Sequence, residues 1–376
     1  MLKGITLQLY IGPLVPIPAP KIVMDALTEI SVTVNDVGRS GFQLSFTLSD
    51  TSPLHTLFLL SGSGPINILR VIIVVIVSGT PYVIMDGVVT NHQLAPGSDA
   101  SHSTLSITGE DLTVLMDKID FSGFPFPATP AEGRVALLLL KYGFLGLVPL
   151  IVPSVLIDVP IPTTRIPAQK GTDLAYINDL ASKVGYVFYL DPGPAPGTNV
   201  AYWGPQIKVG APQPALNINM DTVTNVESLS FTFDNNMNGI PTVFYYEELS
   251  KAVIAIPIPP ITPLNPPLGL VPPFPTKLQP VSDDLSKRPL PQSVMIGLAK
   301  AAQWAEAVSA KGELDVLRYG SVLKPRRLVG VRGAGAAYDG LYYVKSVTHK
   351  IKSGAYKQSF ELSRNGLIST APQVTA

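Results

Sequence analysis

Four histidines, His55, His92, His102 and His349, are the side chains of this sequence best suited to proton transfer or metal binding near neutral pH. None has a second histidine or a carboxylate at the spacing of an HExxH helix. His92 and His102 flank a loop and could meet in space around a metal. His349 falls in strand rhythm, where a packed or rim histidine is expected. Carboxylates occur as neighbours at Glu110/Asp111, Glu247/Glu248 and Asp283/Asp284. Glycoside hydrolysis needs two carboxylates about 5–10 Å apart across a cleft. Adjacent residues rarely point into one site, so capping and solvated loops explain these pairs more simply; a pair assembled across domains stays open. Gly333 and Gly335 in "RGAGAAYDG" approach a dinucleotide fingerprint, but Tyr338 occupies the place of the third glycine. A strand, not a helix, starts at Leu341, so the phosphate-binding helix terminus is missing. "SGSGP" lacks the GxSxG elbow. Tyr186, Tyr189, Tyr202 and Trp203 could stack on a sugar or a base, with core packing as the plainer reading. The chain has no cysteine, which removes disulfides, thiolate nucleophiles and zinc–sulfur sites. No catalytic, cofactor-binding or metal-ligating residue is assigned.

Composition narrows the classes further. Charged residues are 14% of the 376, against about 25% in ordinary soluble domains, and 37 residues are proline. The formal net charge is zero, so there is no basic footprint for nucleic acid. Low charge with positive mean hydropathy points to a membrane or to extensive buried protein–protein surface. "RVIIVVIV", Arg70 to Val77, is too short for a span, which needs about 20 apolar residues. Its Val and Ile side chains suit a strand, and Ser78-Gly79-Thr80-Pro81 reads as a turn into a second strand. Tyr142 to Ile157 is uncharged, but Pro149 and Pro153 would break a helix there. It reads as the end of a helix (Val135 to Gly143) followed by extended, packed chain. The N-terminus reads as a strand and a polyproline-like segment rather than a signal peptide.

The elements that would position any site are mostly strands. Phe42, Leu44, Phe46 and Leu48 alternate onto one face, as do Ile30, Val32 and Val34, and Ser103 to Thr108 is another short strand. Near Gly109 the character changes. "GEDLTVLMDKI" starts a short helix with Asp111 as cap, and "EGRVALLLLKYG" is a second. "GTDLAYINDLASKVG" is a third, capped at Thr172 or Asp173 and stopped by Gly185. Strands "YVFYLD" and "VAYWG" follow, so about 115–205 reads as an α/β insertion within a β domain. Strand character returns at "VESLSFTFD" and "TVFYYEE". Ile256 to Lys277 is proline-rich but too apolar for a solvated linker, and reads as a loop packed on a neighbour. "SVMIGLAKAAQWAEAVSAKG" reads as a helix to Gly312. "ELDVLRYG", "RRLVGVRG", "GLYYVKSVTHKI" and "AYKQSFELS" read as the strands of a second β domain.

Several long stretches carry a resemblance. They are "YIGPLVPIPAPKIVMDAL", "TLSITGEDLTVLMDKID", "GTDLAYINDLASKVGYVFYLDPGPAPGTNVAYWGP", "TNVESLSFTFD" and "YDGLYYVKSVTHKIKSGAYKQSFELSRNGL". Together they resemble the baseplate hub proteins of contractile phage tails and injection systems. This is the phage late control D family, related to the N-terminal half of type VI secretion spike proteins. The resemblance runs from about residue 9 to 367.

The resemblance implies a mainly β fold with two tube-type β-barrels, an α/β insertion in the first, and assembly as a homotrimer with pseudo-sixfold symmetry. Mapped onto this chain, residues 1–115 with 206–250 form the first barrel and 116–205 the insertion. Residues 251–280 form an apolar proline-rich connector, and 281–376 a helix and the second barrel. The implied function is a structural adaptor, not an enzyme, between a sixfold tail tube and a threefold spike. Its partners are its own copies, a tube protein, a separate spike protein and other baseplate proteins, with no nucleic acid, membrane span or cofactor. It would assemble in the bacterial cytoplasm into a phage tail or injection particle. No spike-like repeat and no lysozyme domain are expected on this chain. Interface candidates are Pro259, Pro260, Leu268, Leu270 and Pro273 in the apolar loop, and Tyr342, Tyr343, Tyr356 and Phe360 in the C-terminal hairpin. The competing readings are a cell-wall (peptidoglycan) hydrolase of such a particle, a lipid-binding protein, and a carbohydrate-binding β protein.

Overall fold

The computed structural model describes residues 4–48, 68–97, 103–154, 160–163, 166–234, 239–247, 251–259, 265–272, 277–281 and 290–370. The N-terminal part holds β1 (Ile5–Gly12), β2 (Ile17–Pro18), α1 (Lys21–Ala26), β3 (Leu27–Asn35), β4 (Gly41–Leu48), β5 (Arg70–Val77), β6 (Thr80–Ala95) and β7 (Ser103–Asp111). An α/β segment follows, with α2 (Thr113–Met116), α3 (Ala131–Leu140), β8 (Leu147–Ile151), α4 (Asp173–Ser182), β9 (Val187–Pro192) and β10 (Asn199–Gly204). Next come β11 (Gln213–Asn217), β12 (Val226–Phe233), β13 (Gly239–Glu247), β14 (Ala252–Pro257), β15 (Gly269–Val271), β16 (Lys277–Pro280) and α5 (Leu290–Trp304). The described chain closes with β17 (Val308–Asp315), α6 (Val316–Tyr319), β18 (Leu328–Arg332), β19 (Gly340–Lys352), β20 (Ala355–Arg364) and β21 (Leu367–Ser369).

The protein is mainly β. Thirteen of the described strands form one sheet in the order β12-β17-β20-β19-β3-β4-β7-β6-β5-β1-β2, with β11 joined through β18 to β19. Among its described pairs only β11–β18 is parallel. The long strand β19 is the joint. Along one edge it first pairs with β18, from Gly340 to Tyr343, and then with β3, from Ser346 to Lys352. N-terminal and C-terminal strands thus share one ladder. They also share one core: Phe42, Leu44 and Phe46 of β4 and Val71, Ile73, Val75 and Val77 of β5 belong to the same cluster as Tyr342, Val347, Phe360 and Leu362.

The β5–β6 hairpin forms as the sequence suggests. Ser78 and Gly79 carry φ of 49° and 85°, the left-handed pair that matches a hairpin's twist. Of the seven apolar residues Val71 to Val77, all but Ile76 are buried. One face joins the main core. On the other, Ile72 approaches the turn at Gly197 of the insertion, and Ile76 is half-buried. No helix among the described residues is long and apolar enough to cross a membrane.

The insertion has its own core, built on Val135, Leu138 and Leu139 of α3, Ile177 and Leu180 of α4, and Phe188 and Trp203 of the β8-β10-β9 sheet. Thr172 caps α4 by accepting from the Ala175 N–H at 3.2 Å, and Gly185 follows it with φ 71°. The expected extended chain after α3 includes β8. Asp111 ends β7 and accepts from the Thr113 N–H at 3.0 Å, so it caps the turn into α2.

Residues 213–217 and 226–233 pair with β18 and β17 of the C-terminal set. Two expectations about single elements are corrected. The helix expected to reach Gly312 stops at Trp304, and β17 begins four residues later. Val308, Ala310 and Leu314 alternate into the core there, and pairing with β12 and β20 overrides the helix preference of Ala, Lys and Glu. "ELDVLRYG" is not one strand: Asp315 caps α6 by accepting from the Arg318 N–H at 3.1 Å, and Gly320 ends it with φ 77°. The apolar stretch 251–280 is also partly strand. β14 pairs with β13, β16 runs parallel to β13, and β15 pairs with β21.

Candidate functional site

Three arrangements stand out: a buried tie, a polar junction beside a cavity, and an exposed apolar arm. The tie starts at Arg70, on the first position of a strand buried on both faces. Its guanidinium meets Asp86 of β6 through Nε and Nη2, both at 2.7 Å, and both side chains are almost fully buried. Asp86 also accepts from Asn199 Nδ2 at 2.7 Å, and Arg70 donates to the Leu145 carbonyl at 2.9 Å and the Leu14 carbonyl at 3.2 Å. The network therefore fastens the hairpin to the insertion and to the N-terminal loop. Gly146 lies beside it with φ 76°, and a Cβ there would sit 2.0 Å from the Gly197 carbonyl oxygen. The charges of the Arg70–Asp86 pair are matched, and Asp86 accepts from two side chains.

The junction gathers segments far apart in sequence. Arg326 donates to the Asn35 carbonyl at 2.6 Å, the Asp36 carbonyl at 3.1 Å and Asp191 at 3.1 Å, and stacks 3.9 Å from the centre of the Tyr189 ring. Asp36 accepts from Gln206 Nε2 at 3.0 Å. Glu306 pairs with Lys208 and with Lys345, the latter at 2.9 Å. Burial pushes the Asp36 carboxyl above its ordinary value. Burial pushes Glu306 up as well, but the two ammonium groups outweigh it and hold its pKa below the usual range. Beside them lies a cavity of about 370 Å3, whose lining includes Gln206, Ile207, Val209, Arg327 and Tyr343.

The arm is the β13–β14 hairpin. Its base packs on α5, where Val243 and Ile258 meet Ile296 and Ala301. Beyond the base, Phe244, Tyr246, Val253 and Ile254 are exposed.

The sequence-based candidates divide. Pro259 and Leu270 are exposed. Pro260 and Pro273 lie outside the described residues. Leu268, Tyr342, Tyr343, Tyr356 and Phe360 are buried within this chain. Tyr342, Tyr356 and Phe360 face the main core, while Tyr343, next along β19, lies on the other face in a separate small cluster. The Tyr342 hydroxyl donates to the Tyr338 carbonyl at 2.7 Å, and the Tyr356 hydroxyl lies 2.8 Å from His349 Nδ1. Leu268 packs with Leu328 and Tyr343. His349 is itself buried in the sheet, and burial lowers its pKa to about 3.

The remaining candidates follow the plainer readings. Tyr186, Tyr202 and Trp203 are buried, and the Tyr189 and Tyr202 rings stack with centres 4.9 Å apart. Gly333 and Gly335 shape the turn between β18 and β19. Glu110 pairs with Arg39 at 3.0 Å, while Asp111 accepts from the Ser40 N–H at 2.6 Å. His55, His102, Glu248, Asp283 and Asp284 lie outside the described residues, and with them the His92–His102 pairing. Among the described residues, no group of three or more His, Asp or Glu side chains could hold a metal ion. Sequence reasoning missed Arg70, Asp86, Asn199 and Arg326. A charge bordering an all-apolar strand was the one available signal, since such a charge must find a partner.

The fold is shared with known tail proteins. The chain is similar to a tail protein from Neisseria meningitidis, with a TM-score of 0.63, 14% identity, and coverage of 97% of this chain and 98% of that one. It is similar to the 43 kDa tail protein of prophage MuSo2 from Shewanella oneidensis, with a TM-score of 0.57, 14% identity, and coverage of 96% and 98%. A type VI secretion component of E. coli, described as structurally similar to the T4 tail proteins gp27 and gp5, matches with a TM-score of 0.51 and 12% identity, covering 93% of this chain and 78% of that one. No family model matches the sequence, and no curated protein matches it. The resemblance read from the sequence motifs and the fold therefore agree on the phage tail and type VI spike group.

Proposed function

We propose that this protein is a structural hub of a contractile tail or injection particle, joining a sixfold tube to a threefold spike as a homotrimer. The observation that carries the reading is the near end-to-end match of the chain, over 97% of its length, to a tail protein of almost the same extent. The likeness supplies the fold, and the physical features of the chain supply the rest. One 13-stranded sheet joins the N-terminal and C-terminal strands at β19, and the reading takes its two halves as two β lobes of each chain. Three chains would then present six such units to a tube. A heterologous contact between copies closes into a ring when its rotation closes. The low charge and the exposed apolar side chains suit large interfaces. The role is carried by surfaces and not by catalysis. The particle would assemble in the bacterial cytoplasm, with the tube and spike proteins as separate partners. Imaging the purified oligomer tests this reading: a threefold ring with six similar lobes on one face supports it, and an asymmetric particle contradicts it.

A further inference from the structure

The β13–β14 arm is unusual for a strand pair at a protein surface. Five of the six β14 residues are exposed, although Ala252, Val253, Ile254 and Ala255 among them are apolar. Successive residues of a strand face opposite sides. Neither side of distal β14 is therefore covered by the described chain. β14 is also the edge of its three-stranded sheet, so its outer backbone groups are free of any described strand partner. Proteins usually blunt such an edge with charge, proline or a bulge. Here Lys251 and Pro257 stand only at the two ends of β14, and between them the register pairs Phe244 with Ala255, Tyr245 with Ile254 and Tyr246 with Val253 without a charge. Aromatic side chains on an exposed apolar surface are the usual anchors of a protein interface.

A complementary surface lies elsewhere on the chain, beside the polar junction. The cavity of about 370 Å3 there has Ile207 and Val209 exposed at its rim. Arg327 also lines it. Unlike Arg326, the Arg327 side chain makes no hydrogen bond or ion pair among the described residues, and the same holds for Glu247 on the arm. Lys324 adds a second positive charge close to Arg327, and its pKa is lowered by burial and by that neighbour. The arm thus offers rings and a carboxylate with no partner among the described residues, with Lys251 exposed near it, and the cavity offers an apolar rim and a guanidinium likewise without a described partner.

We propose that the β13–β14 arm of one copy docks at the Ile207–Val209–Arg327 cavity of the next copy, with Glu247 facing Arg327. Repeated head-to-tail around the trimer proposed above, three such contacts would close the ring. The inference rests on the trimeric reading above and gives that trimer its contact.

The absence of cysteine makes the test clean. One chain carries Val253→Cys and another Val209→Cys, and the two are mixed under conditions in which the wild-type chain is trimeric. A disulfide joining the two chains is expected in the mixture, with the linked peptides identified by mass spectrometry. Neither variant alone should give that product. In parallel, Glu247→Arg and Arg327→Glu should each weaken trimer formation about tenfold, and the double swap should restore it. A trimer that forms no cross-link and ignores both charge reversals overturns the arm contact and leaves the hub reading standing; the arm then covers a tube or spike protein instead. A chain that never trimerises, alone or with those proteins, overturns both.

Discussion

At the scale of single residues, burial decides which charges matter. His349 has a pKa of about 3 in the fold because burial disfavours its charged form. Unfolded, it titrates near 6.5. Between those values the unfolded chain binds the extra proton, so stability rises with pH across that window and falls as pH drops below 6.5. At pH 5 the histidine alone costs about 2 kcal/mol. Denaturant midpoints measured at pH 7.5 and pH 5 should show a smaller pH effect in His349→Gln than in the wild type. An equal pH effect in the two chains would contradict this role for His349. The Arg70–Asp86 pair acts differently. Removing one partner of a buried pair leaves an uncompensated charge and costs about 3–5 kcal/mol. Arg70→Met should lose that much in chemical denaturation, and Arg70→Met with Asp86→Leu should recover most of it. Because Asn199 shares Asp86, the single variant should also expose the insertion to limited proteolysis.

At the scale of elements, the sequence was legible where period and packing agree. Phe42, Leu44, Phe46 and Leu48 alternate in the sequence and all four are buried. The third helix is equally plain, and of its two candidate caps, Thr172 and Asp173, the structure uses Thr172. The misses have physical causes. Residues 305–312 are rich in good helix formers, and only pairing with β12 and β20 makes a strand of Val308 onward. Tyr342 and Phe360 of the C-terminal hairpin are buried in the main core, which the hairpin's own sequence does not show because a strand's neighbours decide which face is covered. The junction had no local signature at all: Arg326 reaches Asn35, 291 positions away. Tight loops also carry weight. Gly146→Ala would place a Cβ against the Gly197 carbonyl at a left-handed φ. It should destabilise the insertion by about 1–3 kcal/mol, seen as faster hydrogen exchange in α3 and β10 with the main sheet unaffected.

At the scale of the whole molecule, composition and fold point the same way. A chain with 14% charged residues buries two large cores of its own and still leaves Val15, Phe144, Val253 and Leu270 exposed. The proposed assembly accounts for both facts. The hydrolase alternative makes a separate prediction: clearing of a peptidoglycan suspension by the purified chain. The hub account expects no clearing, and measurable clearing would require a carboxylate pair that this reading does not supply. The most direct measurement is the native mass of the purified chain by sedimentation across a wide concentration range, alone and with tube and spike proteins. The account predicts a particle of three chains, each of 40.1 kDa, alone or on adding either partner. A chain that stays monomeric in the presence of both would contradict it.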